Sequence, residues 1–78
     1  MNDITSPAHY IKGRIECLDF IQDFLTAEEF RGAMKAMIIQ YIYRHPDKGG
    51  VKDLKKAQFY LNRLIEHEEI VEFEKSVR

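Results

Sequence analysis

Pro46 and the pair Gly49-Gly50 break the second half of the chain, and that break constrains the fold more than any other feature. A proline ring cannot continue a helical hydrogen-bond ladder and pushes the preceding residue out of the α region, so a helix running up to Arg44 must stop there. The two glycines then loosen the backbone ahead of a new apolar stripe. Two helices joined by the loop Arg44-His45-Pro46-Asp47-Lys48-Gly49-Gly50 are the expected result.

Before the break, Phe30, Ala33, Met34, Met37, Ile38, Tyr41 and Ile42 recur at spacings of three and four, and Ile39 and Tyr43 widen the apolar surface beyond one face. Thr26-Ala27-Glu28-Glu29 carries the capping-box pattern, which starts this helix and sets it at 27–44. Gly32 inside it costs roughly 1 kcal/mol relative to alanine, which points to a close helix crossing. After the break, Leu54, Ala57, Leu61 and Leu64 or Ile65 mark a helix over about 51–67, with Asp53 placed to suit the helix dipole. Ile70, Val71, Phe73 and Val77 keep some periodicity, so 68–78 reads either as a helical extension or as a tail.

Towards the N-terminus, Cys17, Leu18, Phe20, Ile21, Phe24 and Leu25 give a short helix over about 15–25, with Cys17 as a buried, inert thiol. Residues 1–13 hold Pro7 and Gly13 without helical periodicity and read as an extended arm.

A chain of 78 residues makes one small domain; at this size only about 60% of the unfolded surface is buried. The single cysteine excludes an internal disulfide and a cysteine-rich zinc site. No apolar run approaches the roughly 20 residues that span a membrane, and the N-terminus lacks the basic and apolar regions of a signal peptide. A soluble protein of the cytoplasm is expected. A net charge of −1 argues against wholesale nucleic-acid binding, which needs a basic excess. The fold class is all-α: a small three-helix bundle, or a four-helix one if the tail folds separately. Its spare apolar surface is expected to be covered by self-association into a homo-oligomer.

The loop has the outline of an anion site. Gly49 and Gly50 permit close backbone approach, the amides opening the last helix point outward, and Arg44, Lys48 and Lys52 can surround a phosphate. The same residues also read as a plain turn with solvated lysines. No Gly-x-x-x-x-Gly-Lys-Ser/Thr run occurs, so a Walker-type mechanism is not expected. His9 and Tyr10 can reach a phosphate or stack on a base, or Tyr10 can simply pin the arm. Glu16 and Asp19 read as exposed acids, and His67 among Glu66, Glu68 and Glu69 as a solvated imidazole.

Pro7, His9-Tyr10, Gly13-x-Ile15-Glu16, Asp19-Phe20-Ile21, Phe30-Arg31-Gly32, Tyr41, Arg44, Lys48-Gly49-Gly50, Asp53-Leu54-x-Lys56-Ala57 and Tyr60-Leu61 together resemble a small phage and prophage family of unknown function. One branch of that family is described as a phage nucleotide kinase. The resemblance implies a ligand site of Arg44, Lys48, Gly49, Gly50, Lys56, His9, Tyr10 and Tyr41, taking a nucleotide or related phosphorylated small molecule, with magnesium on the nucleotide. Where the family pattern reads Gly-Asn-x-x-Lys-Tyr, this chain has Ala36-Met37-Ile38-Ile39-Gln40-Tyr41. Met37 and Gln40 thus replace an amide and a cation, which leaves kinase activity open. His45-Pro46-Asp47 also resembles the signature loop of J-domain co-chaperones, and implies instead a contact with a host protein of the Hsp70 type.

Overall fold

The computed structural model describes the backbone of residues 7–77 and the side chains of residues 13 and 16–77. Three helices follow in order, α1 (Pro7–Phe24), α2 (Ala27–Arg44) and α3 (Val51–Ser76), with no strand among the described residues. The fold class is all-α. Two compact units divide the chain, Met1–Phe30 and Arg31–Arg78. Among the described residues, no helix is long and apolar enough to cross a membrane.

In the first unit, helix begins at Pro7, which corrects the expectation of an extended arm through residue 13. Proline is well placed at a first helical position: its missing N–H would have no partner there and its ring already holds a helical φ. Gly13 lies within the helix, at a penalty of only about 1 kcal/mol. The rest of the arm, residues 1–6, lies outside the described residues. Among the described side chains of α1 Leu18 is buried and Ile21 and Gln22 are half-buried, as is Leu25 just after the helix. Phe20 and Phe24, one turn apart, are exposed and stack on each other with centroids 5.8 Å apart. Cys17 is exposed rather than buried, because it lies beside the Leu18 line and not on it.

The start of α2 is fixed by reciprocal bonds. The Glu29 amide donates to Thr26 Oγ1 at 3.1 Å, and the Thr26 amide donates to Glu29 Oε1 at 2.9 Å.

In the second unit, α2 and α3 run antiparallel. Arg31 meets Glu68 at one end, Tyr41 stacks on Tyr60 between, and Arg44 meets Asp53 beside the loop. The residues of α3 that are buried, Asp53, Ala57, Tyr60 and His67, with half-buried Leu64, step by four, three, four and three, the seam of a packed helix pair. That seam buries His67, which corrects its reading as a solvated imidazole. Met34 is buried on α2, a contribution of about 1.5–3 kcal/mol for such a side chain. Gly32 is exposed with nothing near its missing Cβ, so no close crossing explains it. The C-terminal extension is settled as helix: α3 continues without a break to Ser76.

Candidate functional site

The turn between α2 and α3 is built from main-chain bonds. Carbonyls at the end of α2 are satisfied locally: Arg44 O accepts from the Lys48 amide at 3.0 Å, and His45 O accepts from the Gly50 amide at 2.8 Å. The His45 ring adds a contact from Nδ1 to Ile42 O at 2.6 Å. Gly50 is the N-cap of α3 with φ +57° and ψ −132°, a conformation that favours glycine, and it offers no side chain to cap the helix.

Asp53 instead ties the turn to the start of the helix. It stands in the first turn of α3 with its side chain almost wholly buried, and its Oδ2 accepts from Arg44 Nε at 2.9 Å and from the Gly49 amide at 3.0 Å. Lys56 Nζ lies 3.9 Å from Oδ1. A buried carboxylate is tolerated only when charged or hydrogen-bonded partners replace its water, and these three provide that. Gly49 is required for a steric reason, since a Cβ there would overlap Asp53 Cγ and Oδ1.

Above this anchor two cations share one aromatic ring. The Arg44 guanidinium carbon lies 5.6 Å and Lys56 Nζ 5.4 Å from the centroid of Tyr41. Tyr41 in turn lies parallel to buried Tyr60, at 5.9 Å and 8°. Both cations stay accessible, with side chains 41% and 47% exposed. The Asp53 bond engages Arg44 through Nε, whereas most of the guanidinium's five N–H donors belong to its terminal nitrogens. Lys48, Lys52 and Lys55 are exposed around the same end of α3. Cations at a helix N-terminus oppose the macrodipole, so this grouping is not explained by the stability of α3.

Of the residues singled out in the sequence, Tyr41, Arg44, Gly49 and Lys56 come together around Asp53. Gly50 caps α3, and Lys48 is exposed on the turn. His9 and Tyr10 have their backbone in α1, but their side chains lie outside the described residues. Pro46 and Asp47 are exposed at the turn, and His45 is half-buried. Met37 is half-buried and Gln40 exposed on α2, so the apolar replacement falls on the more covered position. Asp53 was legible only as a helix-start acid. Its true neighbour, Arg44, lies nine residues away across the loop, and a glycine N-cap followed three residues later by aspartate is the signal that could have found it.

A second polar cluster lies at the other end of the pair. Arg31 Nε donates to Glu68 Oε2 at 2.5 Å, and His67 Nδ1 lies 3.1 Å from the same oxygen. These hydrogen bonds, the one from Arg31 foremost, hold the Glu68 carboxyl below its ordinary range. Among the described residues no group of three or more histidine, cysteine, aspartate or glutamate side chains is placed to hold a metal ion.

Residues 4–62 match a family described as a protein of unknown function, DUF3310. No curated protein and no solved structure matches the chain.

Proposed function

The chain belongs to the DUF3310 family, whose function is unknown, and we propose that it binds a nucleotide or a related phosphorylated small molecule beside the α2–α3 turn. The observation that carries this reading is the Arg44–Lys56 pair over Tyr41: two cations held half-open on an aromatic ring by a buried carboxylate. Asp53 fixes Arg44 through Nε and so orients its terminal nitrogens, the donors that suit a phosphate best. Lys56 adds a second charge, and Lys48 and Lys52 extend the field. Magnesium would arrive on the phosphates of the ligand. Phosphoryl transfer would need further charge neutralisation at the moving group, so binding is the part of the reading on which the geometry bears. With the resemblance to phage and prophage proteins, the reading extends to a phage-encoded protein working in the host cytoplasm.

Calorimetric titration with nucleoside mono- and triphosphates, with and without magnesium, tests it. Saturable binding that weakens about tenfold in Lys56→Ala, the loss of one charge-assisted contact, is expected. Lys56 is chosen because removing Arg44 would also leave Asp53 without its closest cation. Absence of binding up to millimolar ligand, or equal binding by the variant, would refute the proposal.

A second reading is a protein-interaction loop, favoured by the exposure of Pro46 and Asp47 at the turn. Stimulation of an Hsp70-type ATPase that is lost in His45→Gln would support it, and no stimulation would remove it.

A further inference from the structure

The charges of α3 are sorted. Lys52, Lys55, Lys56 and Arg63 occupy its first half, where the one acid is the buried, paired Asp53, and Glu66, Glu68, Glu69, Glu72 and Glu74 occupy its second, with Lys75 the one cation in the last turn. Apart from Asp53 and Lys75, which sit where a helix dipole favours them, this order is the reverse of what the dipole prefers. The helix also continues past Glu68, the partner of the first α2 residue in this unit, and that continuation carries Ile70 and Phe73 at 53% and 66% exposure.

One stripe of α3 joins the two observations. Starting at Lys56 and ending at Phe73 it steps through Phe59, Arg63, Glu66 and Ile70 by alternating threes and fours, a heptad seam one residue round from the buried one, with Phe59 and Arg63 half-buried and the other four exposed. We propose that a second copy of this chain packs antiparallel along this stripe, α3 on α3, with the two-fold axis passing between Leu64 and Ile65. In that register each residue meets the one equally far on the other side of the axis. Phe59 meets Ile70 of the second copy and Arg63 meets its Glu66. The stem of Lys56 lies on its Phe73, and just beside the seam Lys55 faces its Glu74. Two-fold symmetry makes every pair twice. Charge complementarity selects a copy of this same chain, because the basic half of one α3 fits the acidic half of another only head to tail. A parallel pairing would set Arg63 on Arg63 and Glu66 on Glu66. Four of the six seam residues, Arg63, Glu66, Ile70 and Phe73, lie after the stretch matched to the family. The seam shares Lys56 with the proposed ligand site but does not rest on ligand binding.

Sedimentation velocity of the full chain over a concentration series reads the outcome. A dimer is expected for the natural sequence, and Phe73→Glu is expected to shift it to monomer while far-UV circular dichroism stays helical. Lys55→Glu and Glu74→Lys should each weaken dimerisation about tenfold by setting like charges together twice, and the double variant should restore it. A monomer throughout the micromolar range, a dimer indifferent to Phe73→Glu, or a charge-swapped double variant no better than either single one would each overturn the proposal.

Discussion

Asp53 and Arg44, nine residues apart, close the α2–α3 turn by a 2.9 Å bond in which the carboxylate is buried and the guanidinium is not. The asymmetry decides what each contributes. Asp53 must keep its partners to stay buried, whereas Arg44 can engage solvent or a ligand without leaving Asp53.

Replacing Asp53 by asparagine keeps the shape and removes the charge that Arg44, the Gly49 amide and Lys56 all address. A loss of about 2 kcal/mol is expected, in the range for charge-assisted bonds to a buried group. Urea unfolding of variant and natural protein measures it, and equal midpoints would show that the anchor does not stabilise the fold.

The glycines separate by position. Gly49→Ala forces the pinned Asp53 carboxylate aside and should cost about 2 kcal/mol, as overpacking does. Gly50→Ala meets no atom but must adopt φ +57° with ψ −132°, a sparsely populated conformation that costs about 1–3 kcal/mol. Gly32→Ala, exposed in mid-helix with open space at Cβ, should instead stabilise by up to about 1 kcal/mol. Thermal melts in which Gly32→Ala falls below either turn variant would contradict the turn geometry.

Acid should act through Glu68. Its carboxyl is held below the ordinary glutamate range by Arg31 and His67, so the folded state favours the ionised form. That contribution is complete above the ordinary glutamate value and is lost as the pH falls through the lowered one. Glu68→Gln should therefore flatten the acid side of the stability curve while the neutral side drops. Superimposable acid limbs would mean that the pair carries no linkage.

Cys17 is exposed, so native protein should react fully with a water-soluble disulfide reagent without denaturant. Reaction only after unfolding would place the thiol inside.

The helical class was readable because three- and four-residue apolar spacing, the Thr26–Glu29 box and Pro46 all report local chemistry, which short stretches of sequence contain. The beginning of α1 was misread for the same reason: Pro7 and Gly13 look like breakers when judged alone, yet a proline at a helix start costs nothing and one glycine costs little. Phe20 and Cys17 fit an apolar stripe as well as Leu18 does, and only packing could choose among them. Of the candidate site, the cations Arg44 and Lys56 were visible, but the group that organises them was not. Whether Asp53 faces water or Arg44 depends on the path of the turn, and Arg31 meets Glu68 across 37 residues.

The sorting of charge along α3 also bears on how this nearly neutral protein meets anything charged. The helix measures about 39 Å at 1.5 Å per residue, well beyond the screening length of about 8 Å in physiological salt. Along α3 itself side-chain charges and peptide dipoles point the same way, while the antiparallel α2 opposes the peptide part, so a net charge of −1 conceals a helix with a basic and an acidic end. Such an arrangement favours anions at the basic end of α3 over its glutamate end. Added salt screens this difference between the two ends.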